Sequence, residues 1–260
     1  MRRRRFIQSA VAGGFAAGIP LWSGAAEDNC QYLTMEWYRC RRDLDVQRLR
    51  DFLGNSLVPA ANRAGVKTVG AFQTSIGPDS PSILLIAHYP SMAAIQEAAA
   101  KLAQDEKYMS DQAALDEKWE LAYERREASL LRTFKSMSGL EVPKIEAGKT
   151  NVFELRLYES RNMLGHTKKV AMFDHGEIDI FRRTGINPVF FGSTVFGPRM
   201  PNLVYMVSFP SLEARGEAWG KFGQDPEWKK ISTVPGSTDR ELVSSISNQI
   251  LTPLPFSQVR

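Results

Sequence analysis

Histidines are the residues that open metal and proton chemistry to this 260-residue chain, and it has three: His88, His166 and His175. A metal site on a helix brings its imidazoles together at about one turn, as in His-x-x-x-His. His166 and His175 are nine positions apart, about two and a half turns, so they point in different directions. Neither sits with a carboxylate in a recognisable ligand motif, and no metal site is expected. His175 lies in Phe173-Asp174-His175-Gly176-Glu177 and admits two readings. It is a polar, proton-handling group or an axial haem ligand at the mouth of a cavity, or it is a surface histidine near a helix end. A second set combines carboxylate, guanidinium, imidazole and phenol: Glu36, Tyr38, His88, Glu154, Arg156 and Tyr158. Such a set either grips the polar end of a small ligand or forms a satisfied buried network. Nucleophile elbows, phosphate loops and dinucleotide fingerprints do not occur.

The elements that must position these residues come in two matching series. Residues 31–39 and 151–158 alternate with period two and read as strands. Helical stretches over about 43–64 and 162–184 each end at a glycine, Gly65 and Gly185, as a left-handed helix C-terminus requires. Strands over 66–76 and 186–196 run into Gly77-Pro78 and Gly197-Pro198. Third strands, 83–89 and 203–209, complete short hairpins. Ser91 and Ser211 then cap helices over 92–104 and 212–223, and Asp225-Pro226-Glu227 starts a further helical turn. Last strands are expected at 128–134 and 246–252, the first of them preceded by a charged helical stretch, 105–127.

The two series are one sequence read twice. Shifted by 120 positions, Tyr38 meets Tyr158, Gly65 meets Gly185, Pro81 meets Pro201, Pro90-Ser91 meets Pro210-Ser211, and Gln104-Asp105 meets Gln224-Asp225. Each copy has the order β-α-β-β-α-β, the ferredoxin-like unit. The expected organisation is a first unit at 31–134, a linker at 135–150 and a second unit at 151–257. Such a sheet carries helices on one face only, so its other face must be covered. The alternation suggests that Leu33, Met35, Trp37, Phe153, Leu155 and Leu157 face the helices, with Glu36, Tyr38, Glu154, Arg156 and Tyr158 on the second face. Strand three adds Leu84, Ile86 and His88 to that second face. Two such sheets facing each other around a lined interior would use both sets and make the chain a pseudo-two-fold monomer.

Composition is that of a globular protein, 43% hydrophobic and 24% charged. The net charge of +4 comes from Arg2–Arg5, the only charged residues before Glu27. Without them basic and acidic residues are equal in number, which argues against a nucleic-acid partner. Arg3, Arg4 and Phe6 fit Arg-Arg-x-Phe-Ile-x, followed by a Gly/Ala-rich apolar run and small residues at 23–26. Residues 1–26 therefore read as a twin-arginine export signal, leading to the periplasm or the medium. The run carries glycines and Pro20 and is too short for a membrane span. Cys30 and Cys40 flank one strand of roughly 27 Å, too far apart for a disulfide unless the chain folds back.

The second unit resembles the NIPSNAP family. The matching residues are Val152 to Tyr158, Gly185-Ile186, Phe196-Gly197-Pro198, Asn202 to Met206, Asp225-Pro226-Glu227-Trp228-Lys229-Lys230 and Pro253-Leu254-Pro255-Phe256-Ser257. The first unit is a degenerate copy without Pro-Glu-Trp. The resemblance implies an α+β fold in which two ferredoxin-like units close into an intrachain dimeric α/β barrel. It implies no reaction, since the family lacks an established catalytic mechanism. The functional expectation is a protein that binds a small, partly apolar molecule or a protein partner. The alternative, from relatives of the barrel, is a cofactor-independent monooxygenase or a haem-dependent enzyme.

Overall fold

The computed structural model describes residues 30–40, 46–144 and 149–260. The first unit runs β1 (Tyr32–Arg39), α1 (Val46–Phe52), a π turn (Leu53–Leu57), α2 (Val58–Arg63), β2 (Val69–Ile76), β3 (Ser82–Tyr89), α3 (Met92–Leu102), α4 (Glu106–Asp116) and β4 (Arg125–Thr133). The second repeats it: β5 (Val152–Ser160), α5 (Met163–Met172), a π turn (Phe173–Glu177), α6 (Ile178–Thr184), β6 (Asn187–Phe196), β7 (Asn202–Phe209), α7 (Leu212–Gln224), α8 (Pro226–Ser232), α9 (Asp239–Leu242) and β8 (Val243–Pro253).

The punctuation read from the sequence acts as expected. Ser91 and Ser211 accept the backbone N–H of Ala94 and Ala214, each at 3.1 Å, and fix the starts of α3 and α7. Asp225 caps α8 with Pro226 at its first position. Gly185 ends α6 at φ 88°, a conformation that a β-carbon would strain. The charged stretch is helical only over α4, and an irregular segment leads into β4.

The eight strands close into one antiparallel barrel in the order β1-β3-β2-β8-β5-β7-β6-β4. The seams between units are β2 with β8 and β4 with β6, so the last strand of each unit pairs with the second strand of the other. The barrel is thus complete within a single chain. Beyond β8 the chain continues along β2, where Gln258 N–H donates to the Val69 carbonyl at 3.0 Å. Cys30 and Cys40 are both free thiols. The linker is anchored by Glu141 N–H on the Val189 carbonyl at 2.8 Å. Arg3, Arg4 and Phe6 lie outside the described residues.

The two faces of β1 and β5 are the reverse of the expectation. Leu33, Met35, Trp37, Phe153 and Leu155 point inward and pack with Phe72, Leu84, Ile86, Phe190, Met206 and Leu251 from the other strands. Glu36, Tyr38, Glu154, Arg156 and Tyr158 lie on the helix side, the face of the opposing residues Leu85, Ile83, Val207, Tyr205 and Leu203. The physical reason is solvent access. Inward side chains of an eight-stranded barrel converge on its axis and fill it. The helix layer has open rims, where long polar side chains reach water while their stems stay covered.

Candidate ligand site

The predicted set is dispersed. Glu36 and Tyr38 lie beneath the first unit's helices, where Arg126 donates two hydrogen bonds to Glu36 at 2.6 and 3.0 Å. His88 keeps its inward direction, opposite Leu33 in the register. It sits at the end of the barrel away from the β2–β3 hairpin, hydrogen-bonded to Gln31. Burial, reinforced by Lys67, lowers its pKa. His175 is exposed, at a kink in the second π turn where Gly176 has φ 136°.

Glu154, Arg156 and Tyr158 do converge, under α7 and α5, with residues that the alternation did not reveal. Glu154 is fully buried and accepts from Arg156 (2.8 Å), Arg215 (2.7 and 2.8 Å), Trp219 (2.8 Å) and Asn248 (2.9 Å). Burial alone would raise its pKa; the bonds from Arg215 and Asn248 and the Arg156 charge outweigh it and bring the carboxyl down to about 2. Arg156 also donates to Tyr158, whose hydroxyl meets that of Tyr205 at 3.0 Å. Beside this network Lys169 is fully buried, 3.1 Å from Glu177 and 3.0 Å from Asp239. Burial would lower the ammonium, but the two carboxylates outweigh it and hold it charged. One cation cannot balance two anions, and burial pushes the enclosed Glu177 up to about 7. The cluster's carboxylates are engaged by its own side chains.

The space lies inside the barrel, at the end carrying the β2–β3 and β6–β7 hairpins. A cavity of about 160 Å³ opens there. Its apolar walls are Met35, Trp37, Leu155, Leu157 and Val204; its rim carries Arg39, Asp79, Glu127, Arg199, Thr194, Ser247 and Gln249. The cavity straddles the pseudo-two-fold axis: Met35 and Leu155, Trp37 and Leu157, Ser129 and Gln249 are equivalents at the 120-residue shift. The rim charges are inverted by the same operation. Arg39 faces Asp79 at 3.8 Å, and their equivalents Glu159 and Arg199 face each other at 4.0 Å. Arg39 lies over the Trp37 ring at 4.4 Å and donates to Glu127. Two larger depressions, about 590 and 370 Å³, are open grooves beside α1 and the first π turn.

Haem does not suit this cavity. Its volume is well below the roughly 300–1,000 Å³ of ordinary ligand and cofactor pockets. No histidine or cysteine lines it. His166, on the helix side, is engaged by Ser193 at 3.0 Å, with Ser160 at 3.4 Å. Among the described residues no group of three His, Cys, Asp or Glu is placed to hold a metal ion, and no helix is long and apolar enough to cross a membrane. The sequence carries a signal for the rim: Arg39/Glu159 and Asp79/Arg199 are equivalent pairs of opposite charge at the 120-residue shift.

The NIPSNAP family model matches residues 43–136 and 153–258, one match for each unit. No curated protein matches the chain. Among solved structures, a Fusobacterium nucleatum protein provisionally named a monooxygenase superposes with a TM-score of 0.56 at 8% identity, over 86% of this chain and 92% of that one. An anthrone oxidase-like protein gives 0.52 at 9% identity, over 88% and 92%. A protein provisionally named a chlorite dismutase gives 0.51 at 9% identity, over 89% and 97%. At these identities the likeness is one of fold.

Proposed function

The chain belongs to the NIPSNAP family, and from that premise we propose that it is an exported protein that binds a small, partly apolar molecule in the hairpin end of its barrel. The observation that carries this reading is the cavity of about 160 Å³, walled by apolar side chains of both units and rimmed by polar ones. A pocket with an apolar body and a few polar groups is the usual form of a small-molecule site. Its size suits one ring: an apolar cavity of about 150 Å³ takes up benzene. The enclosed volume favours a small molecule over a protein partner, which would need an exposed face. Export rests on Arg3, Arg4 and Phe6 and the apolar run behind them.

Leu157→Trp tests the site. It places on the second unit the ring that Trp37 supplies on the first, and so fills the cavity. Wild type is expected to show saturable binding of toluene by NMR and to carry a small molecule in native mass spectrometry. The variant should show neither while keeping its far-UV circular dichroism. Absence of both signals from wild type would remove the reading. For export, Arg3→Lys with Arg4→Lys should retain the protein in the cytoplasmic fraction; undiminished export would exclude the twin-arginine route.

A further inference from the structure

The cavity's polar groups specify more than its size, and the geometry points to an uncharged hydroxyl compound of about phenol size as the ligand class. This inference rests on the reading of the cavity as a binding site. The buried polar atoms that face the barrel interior without a hydrogen-bond partner are Arg39 Nη1, Thr74 Oγ1, Ser208 Oγ and Gln249 Oε1, and of these Arg39 and Gln249 line the cavity. Those two lie on β1 and β8, whereas Thr74 is on β2 and Ser208 on β7. Thr74 is 2% exposed and opposes the inward Leu251. Its equivalent Thr194 donates to Asn202 at 2.6 Å, whereas the first unit has the shorter Ser82 at that place, turned to the Asp79 carbonyl. The two atoms in the cavity wall have Glu159 and Ser129 as their equivalents, so they break the pseudo-symmetry of the cavity and give a ligand a single orientation.

Buried polar groups without partners are costly, and a ligand that satisfies them gains what the empty site lacks. Arg39 Nη1 can only donate and Gln249 Oε1 can only accept. A hydroxyl does both: its oxygen accepts from the guanidinium and its hydrogen goes to the amide oxygen. A carboxylate ligand has no hydrogen for Gln249. It would also enter a rim whose two arginines already face Asp79, Glu127 and Glu159. A hydrocarbon satisfies neither atom. The ring of the ligand would lie against Leu155 and Leu157 of β5 and against Trp37, beside Arg39 on β1.

The test compares phenol, toluene and benzoate on the full exported chain by isothermal titration or NMR. Phenol is expected to bind about tenfold or more tightly than toluene, the worth of one charge-assisted hydrogen bond, and benzoate more weakly than phenol. Gln249→Leu should lower the preference for phenol over toluene about threefold, by loss of the acceptor while the bond from Arg39 stays, and leave toluene binding in place, which shows that the variant is folded. Toluene binding as tightly as phenol, or benzoate binding more tightly, would overturn the hydroxyl assignment while the cavity reading stands. No binding by any of the three would overturn the cavity reading itself.

Discussion

Beneath their helices the two units are built from different materials. In the first, Leu49, Leu53, Ala71, Ile83 and Leu85 meet between helix and sheet. At the equivalent of Leu49 the second unit has Lys169; at Leu53, Phe173; at Ala71, Phe191; at Leu85, Tyr205. Phe191 and Tyr205 stack with centroids 4.9 Å apart, and Phe181, the equivalent of Ala61, packs against Tyr205 at 5.9 Å. Thr34 becomes Glu154 and Leu57 becomes Glu177. The duplication kept the caps, the glycines and the hairpins, and let the helix–sheet interface diverge from a layer with an aliphatic centre, edged by Tyr38 and Phe52, to one with an aromatic centre threaded with charge. The difference teaches that buried charge is not required at these places, since among its described residues the first unit closes its core without it. Its presence in the other is a property added to the scaffold. Buried ion pairs seldom repay their desolvation in stability, although removing one partner is strongly damaging.

The largest effect should come from breaking the Glu154 network. Glu154→Leu leaves Arg156, Trp219 and Asn248 without their shared acceptor, while Arg215 at the rim turns to solvent. A loss of about 3–5 kcal/mol is expected in urea denaturation. Thr34→Leu, at the equivalent position of the first unit, should stay within about 1 kcal/mol. Similar losses at the two positions would mean that the contrast between the interfaces has no energetic content.

A second test converts one interface into the other. Lys169→Leu with Glu177→Leu restores the residues of the first unit at both places. The double variant should be neutral or more stable than wild type by about 1–4 kcal/mol, whereas Lys169→Leu alone should destabilise it. The pH dependence sharpens this. Glu177 has a folded pKa of about 7, above the 4.5 of a free glutamate. Folding therefore favours its protonated form: its contribution is complete below 4.5 and is lost as the pH rises through 7. Glu154 behaves in the opposite sense. With a folded pKa of about 2, its contribution is present above 4.5 and is lost as the pH falls towards 2. The double variant should lose the decline of stability between pH 4.5 and 7 and keep the acid limb. An unchanged profile would show that Glu177 is not the group that titrates.

How far these interfaces could be read beforehand follows from what fixes each feature. Gly65 and Gly185, Ser91 and Ser211, and the two Gly-Pro hairpins are set by local backbone chemistry, so element order and the repeat were legible. Alternation separated Leu33, Met35 and Trp37 from Glu36 and Tyr38 correctly. It could not say which set faced the axis, because both faces of each sheet are covered and only the dryness of the cover distinguishes them. Strand three was oriented correctly, since Leu84 and Ile86 are inward. Lys169 and Glu177 escaped notice because a lone charge on a helix reads as solvated, and its burial depends on Asp239, Tyr158 and Trp228 arriving from distant segments. The cavity depends on the register across β2–β8 and β4–β6, which no local pattern encodes.

The smallest effects compare one residue type at equivalent places, Tyr158 and Tyr38. Both are buried, at 6% and 4% exposure, so loss of packing is matched and only the hydroxyls differ. The Tyr158 hydroxyl joins Arg156 at 3.1 Å to the fully buried Tyr205 hydroxyl at 3.0 Å. Tyr158→Phe removes the partner of Tyr205 in a site closed to water, and should cost about 1–3 kcal/mol. Tyr38 reaches only Glu36, at 3.5 Å, and Glu36 is already held by two bonds from Arg126. Tyr38→Phe leaves no group unpaired and should cost under about 0.5 kcal/mol. Both variants are measured by urea midpoint at constant slope. Equal costs would mean that the second unit relaxes around the lost hydroxyl or admits water to Tyr205, and its interface would then be as adaptable as the aliphatic one.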